Sequence, residues 1–298
     1  MMLKKEITRR DFIKFTGAAT AGLALGLPSL AEITAEKEAL SRVILIRNQN
    51  VVAPDGTING DLLGAMLDEA VMAFFGDKQP QASWRRIIKP EDYVGIKTNI
   101  WKYLPTPPAL ESAIKNRVLE CGVPSENIAI SDREILELPV FKKATALINT
   151  RPMRAHAWAG VGSLIKNYIM FVPDPSSYHD NSCESIGSIW LMPHVKDRTR
   201  LNILVMLTPQ FHILGPHHFD RKYVWNYGGL LVGTDPVAVD TVGLKIIQAK
   251  RKLFFGDDQG LKPPAHHIEF ADKIFKLGQS DFSKIELIRL GWNEDILI

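Results

Sequence analysis

The sequence predicts an α/β fold: a mainly parallel or mixed sheet with helices on both faces, plus a long polar loop region. Three observations carry this. Short apolar runs of strand length recur along the chain, stretches with apolar residues at helical spacing lie between them, and Gly, Pro, Asn or Asp punctuate the joints. Strands that alternate with helices over such a length build a sheet buried on both faces.

The first strand is expected at residues 42–48, where Val43, Ile44, Leu45 and Ile46 form a continuous apolar run. Residues 61–75 place Leu62, Leu63, Met66, Leu67, Ala70, Val71 and Phe74 at helical spacing with Asp68 and Glu69 off the stripe, which predicts a half-buried helix. A second strand follows at 93–99, after the turn signal Lys89-Pro90-Glu91-Asp92. Pro107 and Pro108 open the next helix and Gly122 closes it, because proline suits a first helical turn and glycine the left-handed exit. Short strands are expected at 127–131 and 145–149. The polar stretch 173–200, rich in Pro, Ser and Asn, has the length usually reserved for functional or disordered loops. Residues 202–207, 229–232 and 285–290 supply three more strands, with helices from Pro236 to about Lys252 and from about Ala265 to Leu277.

The helix opened by Pro236 is apolar almost all round, so it is expected to be buried. Asp240 stands inside it among Val237, Val239, Val242 and Leu244. A carboxylate there is costly unless it is hydrogen-bonded, paired or placed at a cavity. Two readings stay open: Asp240 ties down the N–H groups of a neighbouring loop, or it serves a pocket.

Residues 1–31 read as an export signal and are set apart from the fold. Thr8-Arg9-Arg10-Asp11-Phe12-Ile13-Lys14 has the twin-arginine order, a weakly apolar Gly/Ala-rich run follows at 15–27, and Ser29-Leu30-Ala31 offers a cleavage site. The expected partner is the twin-arginine translocation machinery and the expected location periplasmic, with the signal cleaved near Ala31 or retained as an anchor. Membrane contact is expected only through this segment, and residues 32–298 are expected to form a single α/β domain. The signal carries five Lys/Arg against two Asp/Glu, a net +3 equal to that of the whole chain, so the remainder is neutral. A nucleic-acid role is therefore not expected. Only Cys121 and Cys183 are present, too few for a four-cysteine iron–sulfur cluster; whether they pair or stay separate is open.

In open α/β sheets ligands sit beyond the C-terminal ends of the strands, which ranks polar residues just after a strand first. Lys97, Asn99, Asp132, Asn149, Arg151, Thr234 and Asp235 meet that rule. Farther on, Arg154, His156 and Lys166 gather cations near a Gly160, Gly162 and Ser163 segment, an incomplete phosphate-cradle pattern without the G-x-x-x-x-G-K-[ST] spacing. His179, His212, His217 and His218 could supply ligands for a divalent metal, though their spacing matches no standard motif. No G-x-S-x-G or H-E-x-x-H pattern occurs.

Val94-Gly95-Ile96-Lys97-Thr98-Asn99, the Ile148-Asn149 strand leading to Arg154-Ala155-His156 and Lys166-Asn167, and above all Gly233-Thr234-Asp235-Pro236-Val237-Ala238-Val239-Asp240 resemble the family catalogued as domain of unknown function 362, over roughly residues 87–278. The resemblance places the family's strand-end Lys and Asn on Lys97 and Asn99, its Lys-Asn pair on Lys166 and Asn167, and its Asp pair on Asp235 and Asp240. Arg154 stands where the family has a lysine. Some relatives carry Cys-rich cluster-binding segments that this chain lacks.

These readings together predict an enzyme whose strand-end crevice binds a small anionic ligand, with or without a metal, and in which His156, Lys166 and Asp240 are the catalytic candidates. Lys97, Asn99, Arg154, Asn167 and Asp235 are the expected ligand contacts. The rival expectation is a non-catalytic accessory or ligand-carrying protein of an exported redox system.

Overall fold

Strand β1 (Ser41–Arg47) is buried from Val43 to Arg47, as its unbroken apolar run requires. The computed structural model describes residues 40–215, 218–256 and 260–298; the predicted signal segment and His217 lie outside them. Helix α1 (Gly60–Phe75) starts where the Asn59 side chain accepts the Leu62 N–H and stops at Gly76, whose φ of 74° is the left-handed exit that glycine takes freely. It buries Leu63, Met66, Leu67, Ala70 and Val71, the predicted stripe. A short helix α2 (Pro80–Trp84) precedes β2 (Val94–Lys97), and α3 (Pro108–Glu120) leads to β3 (Ile128–Ser131). After α4 (Pro139–Lys143) come the long strand β4 (Ala146–His156), its hairpin partner β5 (Gly160–Gly162) and the single-turn α5 (Leu164–Asn167). β6 (Thr199–Gln210), β7 (Gly229–Gly233), α6 (Pro236–Phe255), α7 (His266–Lys273) and β8 (Ile285–Gly291) complete the order.

The sheet runs β3-β2-β4-β6-β7-β1-β8, with β5 paired to β4 off this path. β2 is parallel to β3 and β4, β4 to β6, and β1 to β8; β7 alone on the path is antiparallel to both neighbours. The predicted mixed, mainly parallel sheet is the one observed. Its two faces carry separate cores. On one, Ile44, Ile46, Ile96, Ile148, Ile203 and Val232 pack with α1 and α3. On the other, Val43, Leu45, Leu147, Leu204 and Leu231 pack with α6 and the turns before β6. Among the described residues no helix is long and apolar enough to cross a membrane.

Two segments differ from expectation. β4 continues beyond Asn149 through Arg151, Pro152 and Arg154 to His156, every residue buried, although its charges and proline read as a loop. Pairing on two sides holds it extended: β6 on one edge, with a register shift between Pro152 and Arg154, and β5 along Arg154–His156. The stretch 173–200 is not an open loop. Its 3-10 turns Pro175–Tyr178 and Asp180–Leu191, the second kinked where Asn181, Ser182 and Cys183 take positive φ, send Cys183, Ile186, Ile189 and Trp190 into the core; Ile186 and Ile189 stand three apart, as a 3-10 repeat favours.

Candidate functional site

Strand alternation sets the site. In β2, Ile96 faces the α1 side and Lys97 the other; in β4, Leu147 faces α6, and Asn149 and Arg151 follow it at a spacing of two. Lys97, Asn149 and Arg151 thereby point toward the α5 side of the sheet, near its C-terminal edge. A chain of buried amides links them. Asn202 on β6 accepts from Asn149 Nδ2 at 3.2 Å, Asn149 Oδ1 accepts from Asn167 Nδ2 at 2.8 Å, and Lys97 Nζ donates to Asp132 at 2.5 Å and to the Thr98 carbonyl at 2.8 Å.

Beyond this chain opens a cavity of about 350 Å³ whose wall includes Asn99, Asp132, Arg151, Arg154, His156, Lys166 and Asn167. Its electrostatics are lopsided. Lys97, Arg151, Arg154 and Lys166 are all buried, while the buried carboxylates beside them are Asp132 and Asp240. Asp132 serves Lys97. Arg151 donates to the Ser163 carbonyl at 3.3 Å, Lys166 Nζ meets Cys183 Sγ at 3.5 Å, and Arg154 Nε has no hydrogen-bond partner. The Arg154 guanidinium instead lies 4.1 Å above the Trp101 ring.

Burial, which penalises the charged form, is the main cause of the shifts that follow. It brings the Lys97 and Lys166 ammonium groups down to about 8 and lowers both Arg151 and Arg154. Both guanidinium groups stay charged at neutral pH, their ordinary value being so high. His156 is driven well below its usual value by burial and then by Arg154 and Lys166, so it is neutral. Its Nδ1 accepts the Trp158 N–H at 3.2 Å, which leaves the ring proton on Nε2.

Asp240 takes the first of its two readings in full. Its carboxylate oxygens accept the Leu164 and Ile165 N–H groups at 2.9 and 2.8 Å, the otherwise unpaired donors at the start of α5. Burial raises its value to about 6 against those bonds. Asp240 thus fixes the turn that presents Lys166 and Asn167, and it does not line the cavity. Behind it, Ser163 Oγ lies 3.0 Å from Nε2 of the buried His267, whose value burial pushes down to about 3. The glycines are not a phosphate cradle. Gly160 turns the β4–β5 hairpin at φ 71°, and a Cβ on Gly162 would meet Arg151 Nη2 at 2.6 Å, so that glycine makes room for the guanidinium.

The structure brings Lys97, Asn99, Arg154, His156, Lys166 and Asn167 to one place. Asp235 is elsewhere. Because β7 is antiparallel, the chain leaves it at the opposite edge of the sheet, where Asp235 accepts from Val237 N–H, Ala238 N–H, Gln279 N–H and the Ser41 hydroxyl. The rule that ranked it assumed a parallel strand. Of the four histidines expected as metal ligands, His217 lies outside the described residues, and among the described residues no group of three or more His, Cys, Asp or Glu is placed to hold a metal ion. His179 packs on Trp158 at the cavity, whereas His212 receives a bond from Arg251 and packs on Tyr223 and Phe255. Cys121 and Cys183 are unpaired and belong to the cores on opposite faces of the sheet.

Sequence reasoning passed over Trp101, Asn202, Gln210 and His267. Asn202 had a legible signal, a polar residue opening the apolar run 203–207. Trp101 and His267 had none, since each reaches its partner across the fold.

Comparison with known protein families finds two matches. Residues 6–26 match the twin-arginine translocation pathway signal sequence, and residues 123–245 match the family described as Domain of unknown function (DUF362). The second match holds β3 to β7 and the first half of α6, and so includes Asp132, Arg151, Arg154, His156, Lys166 and Asn167. No curated protein and no solved structure compared with the chain matches it.

Proposed function

For a chain exported by the twin-arginine route, with residues 123–245 matching a domain family that has no assigned reaction, we propose that the strand-end cavity binds a small oxyanion. One observation carries this reading: four buried cations face two carboxylates, and the two cations nearest the opening, Arg154 and Lys166, have no carboxylate partner. Uncompensated buried charge costs several kcal/mol per ion, and a bound anion is the economical way to offset it. Arg154 would supply the planar fork that grips a carboxylate or phosphate, Lys166 the compact charge, and His156 an Nε2–H donor.

The same groups suit chemistry on the bound anion, because an ammonium near 8 and a neutral imidazole exchange protons more readily than ordinary lysine or charged histidine does. A carrier role remains the second reading, and one observation favours it: among the described residues, the two buried carboxylates beside the cavity are committed, Asp240 to two backbone N–H groups and Asp132 to Lys97, so neither is free as a base.

Replacing Arg154 by Met and titrating the exported form with phosphate and acetate by calorimetry tests the reading. Affinity is expected to fall at least tenfold, while the ligand-free protein becomes more stable by about 1 kcal/mol or more, since an unpaired buried ion is gone. Lost stability together with unchanged affinity would assign Arg154 to the scaffold and remove the proposal.

A further inference from the structure

We propose that the oxyanion carries an aromatic ring, and that the ring lies in a second cavity that adjoins the first at the cluster of Trp101, Tyr103 and Phe219. This rests on the anion-pocket reading above and names the class of ligand for it. The second cavity, of about 900 Å³, opens at the same edge of the sheet. Its wall comes from residues 52–56 after β1, 102–104 after β2, Thr208 near the end of β6, and 219–226 before β7. An antiparallel β7 begins where its parallel neighbours end, so all four segments meet there.

A ring cluster lies where the two cavities adjoin. Trp101 lines the first, and Tyr103 and Phe219 line the second. Trp101 is 5.0 Å from Tyr103 and 6.0 Å from Phe219, and Tyr103 and Phe219 stack at 4.8 Å with their planes 3° apart. Arg154 lies over the Trp101 ring of this cluster. Tyr103 is 39% exposed, so a large flat side chain is held at the surface instead of in a core.

The loop that carries these rings is coupled to the charge site. Asp132 accepts Lys97 Nζ with one oxygen and the Ile100 N–H with the other, at 3.1 Å. Asn99 and Thr106 close the base of the loop: Thr106 N–H donates to the Asn99 carbonyl at 2.8 Å, and Asn99 N–H to Thr106 Oγ1 at 3.1 Å. Between the cavities, Gln210 pairs in register with Arg154 on one side and Val224 on the other, fully buried with both ends of its amide unpaired.

Charge distinguishes the two parts. The first cavity has a surplus of cations. The second has Lys102 and Arg221 against Asp55 and Asp220, which balance, so it offers flat apolar contact without a net pull on an ion. One ligand with an anionic head and an uncharged planar body satisfies both, and pockets that fix a few polar atoms beside an aromatic wall are the usual form of small-molecule sites.

The test compares matched probes on the exported form by calorimetry: phenyl phosphate against inorganic phosphate, and benzoate against acetate. Each aryl probe is expected to bind at least tenfold tighter than its partner. The double variant Tyr103→Ala, Phe219→Ala is expected to abolish that preference while leaving inorganic phosphate and acetate within twofold of wild type, and Arg154→Met to weaken all four. Equal binding of aryl and simple anions overturns this inference and leaves the anion pocket standing. So does phenol binding as tightly as phenyl phosphate, or an aryl preference that survives the double variant. If none of the four anions binds, the pocket reading itself has failed and the inference falls with it.

Discussion

Arg154 and Asp240 show how differently two buried charges can be used. Arg154 is only 8% exposed, has a ring beneath it and lacks a partner for Nε, whereas Asp240 is fully buried with both oxygens bonded. The first has no carboxylate partner; the second is bonded to two backbone N–H groups. Asp240→Asn is therefore expected to cost about 2–3 kcal/mol, because asparagine brings one acceptor to two N–H donors and withdraws the negative charge near Arg151. Urea unfolding at pH 7.5 measures it, and the penalty should grow as pH falls below about 6, because the folded wild type then takes up a proton at Asp240 that the unfolded chain does not hold until about 3.8, and the variant gains nothing. A loss under 0.5 kcal/mol at pH 7.5, on the order of an ordinary surface substitution, would mean that the α5 turn does not depend on this carboxylate. The sequence exposed the anomaly of Asp240 through its apolar neighbours. It could not say which donors the oxygens meet, since Leu164 and Ile165 lie far away in the chain.

At the scale of elements, the helix caps and the hairpin do most to fix the site. Asp235 closes the start of α6 and also binds Gln279 N–H and the Ser41 hydroxyl, so it joins three segments at the edge of the sheet away from the cavity. Asp235→Ala should lower stability by about 2–3 kcal/mol, the worth of a helix cap plus two further donors left unmet, and leave anion affinity within twofold. Thermal melting and calorimetry on one preparation measure both. Affinity falling as far as stability would contradict the antiparallel placement of β7. The caps were legible in the sequence, because Pro236 after Asp235 marks a first turn. The length of β4 was not. Arg151, Pro152 and Arg154 have loop chemistry, and only pairing to β5 and β6 makes an extended strand of them.

For the whole molecule, the imbalance of buried charge predicts an unusual dependence on pH. Lys97 and Lys166 titrate near 8 in the folded protein and near 10.5 when unfolded, so between those values the unfolded chain holds more protons. Stability without ligand therefore rises with pH across that window. Asp240 behaves oppositely: near 6 folded and 3.8 unfolded, it makes stability fall as pH rises between those values. The two effects place a shallow minimum between about pH 6 and 8. Anion affinity should move the other way and weaken above about pH 8, as Lys166 loses its charge beside Cys183, Arg151 and Arg154. Denaturant unfolding and phosphate titration at pH 7, 8 and 9 check both slopes. Affinity that holds constant while stability rises would detach the lysines from binding.

The sequence by itself determined the export signal, the α/β class, the path strands β1 to β4 and β6 to β8 and the longer helices, because each rests on local order: two arginines before an apolar run, or a period of two or of three to four. It also ranked Lys97, Asn99, Arg154, His156, Lys166 and Asn167, since charge inside apolar runs is visible without a structure. Tertiary structure alone decided which of these meet and which edge of the sheet each occupies. The direction of β7 moved Asp235 away, the bonds from Leu164 and Ile165 turned Asp240 into a cap, and the long-range approach of Trp101 placed a ring against Arg154. Strand direction and contact between distant segments follow from how the whole chain buries its apolar surface, and no short stretch of residues carries that information.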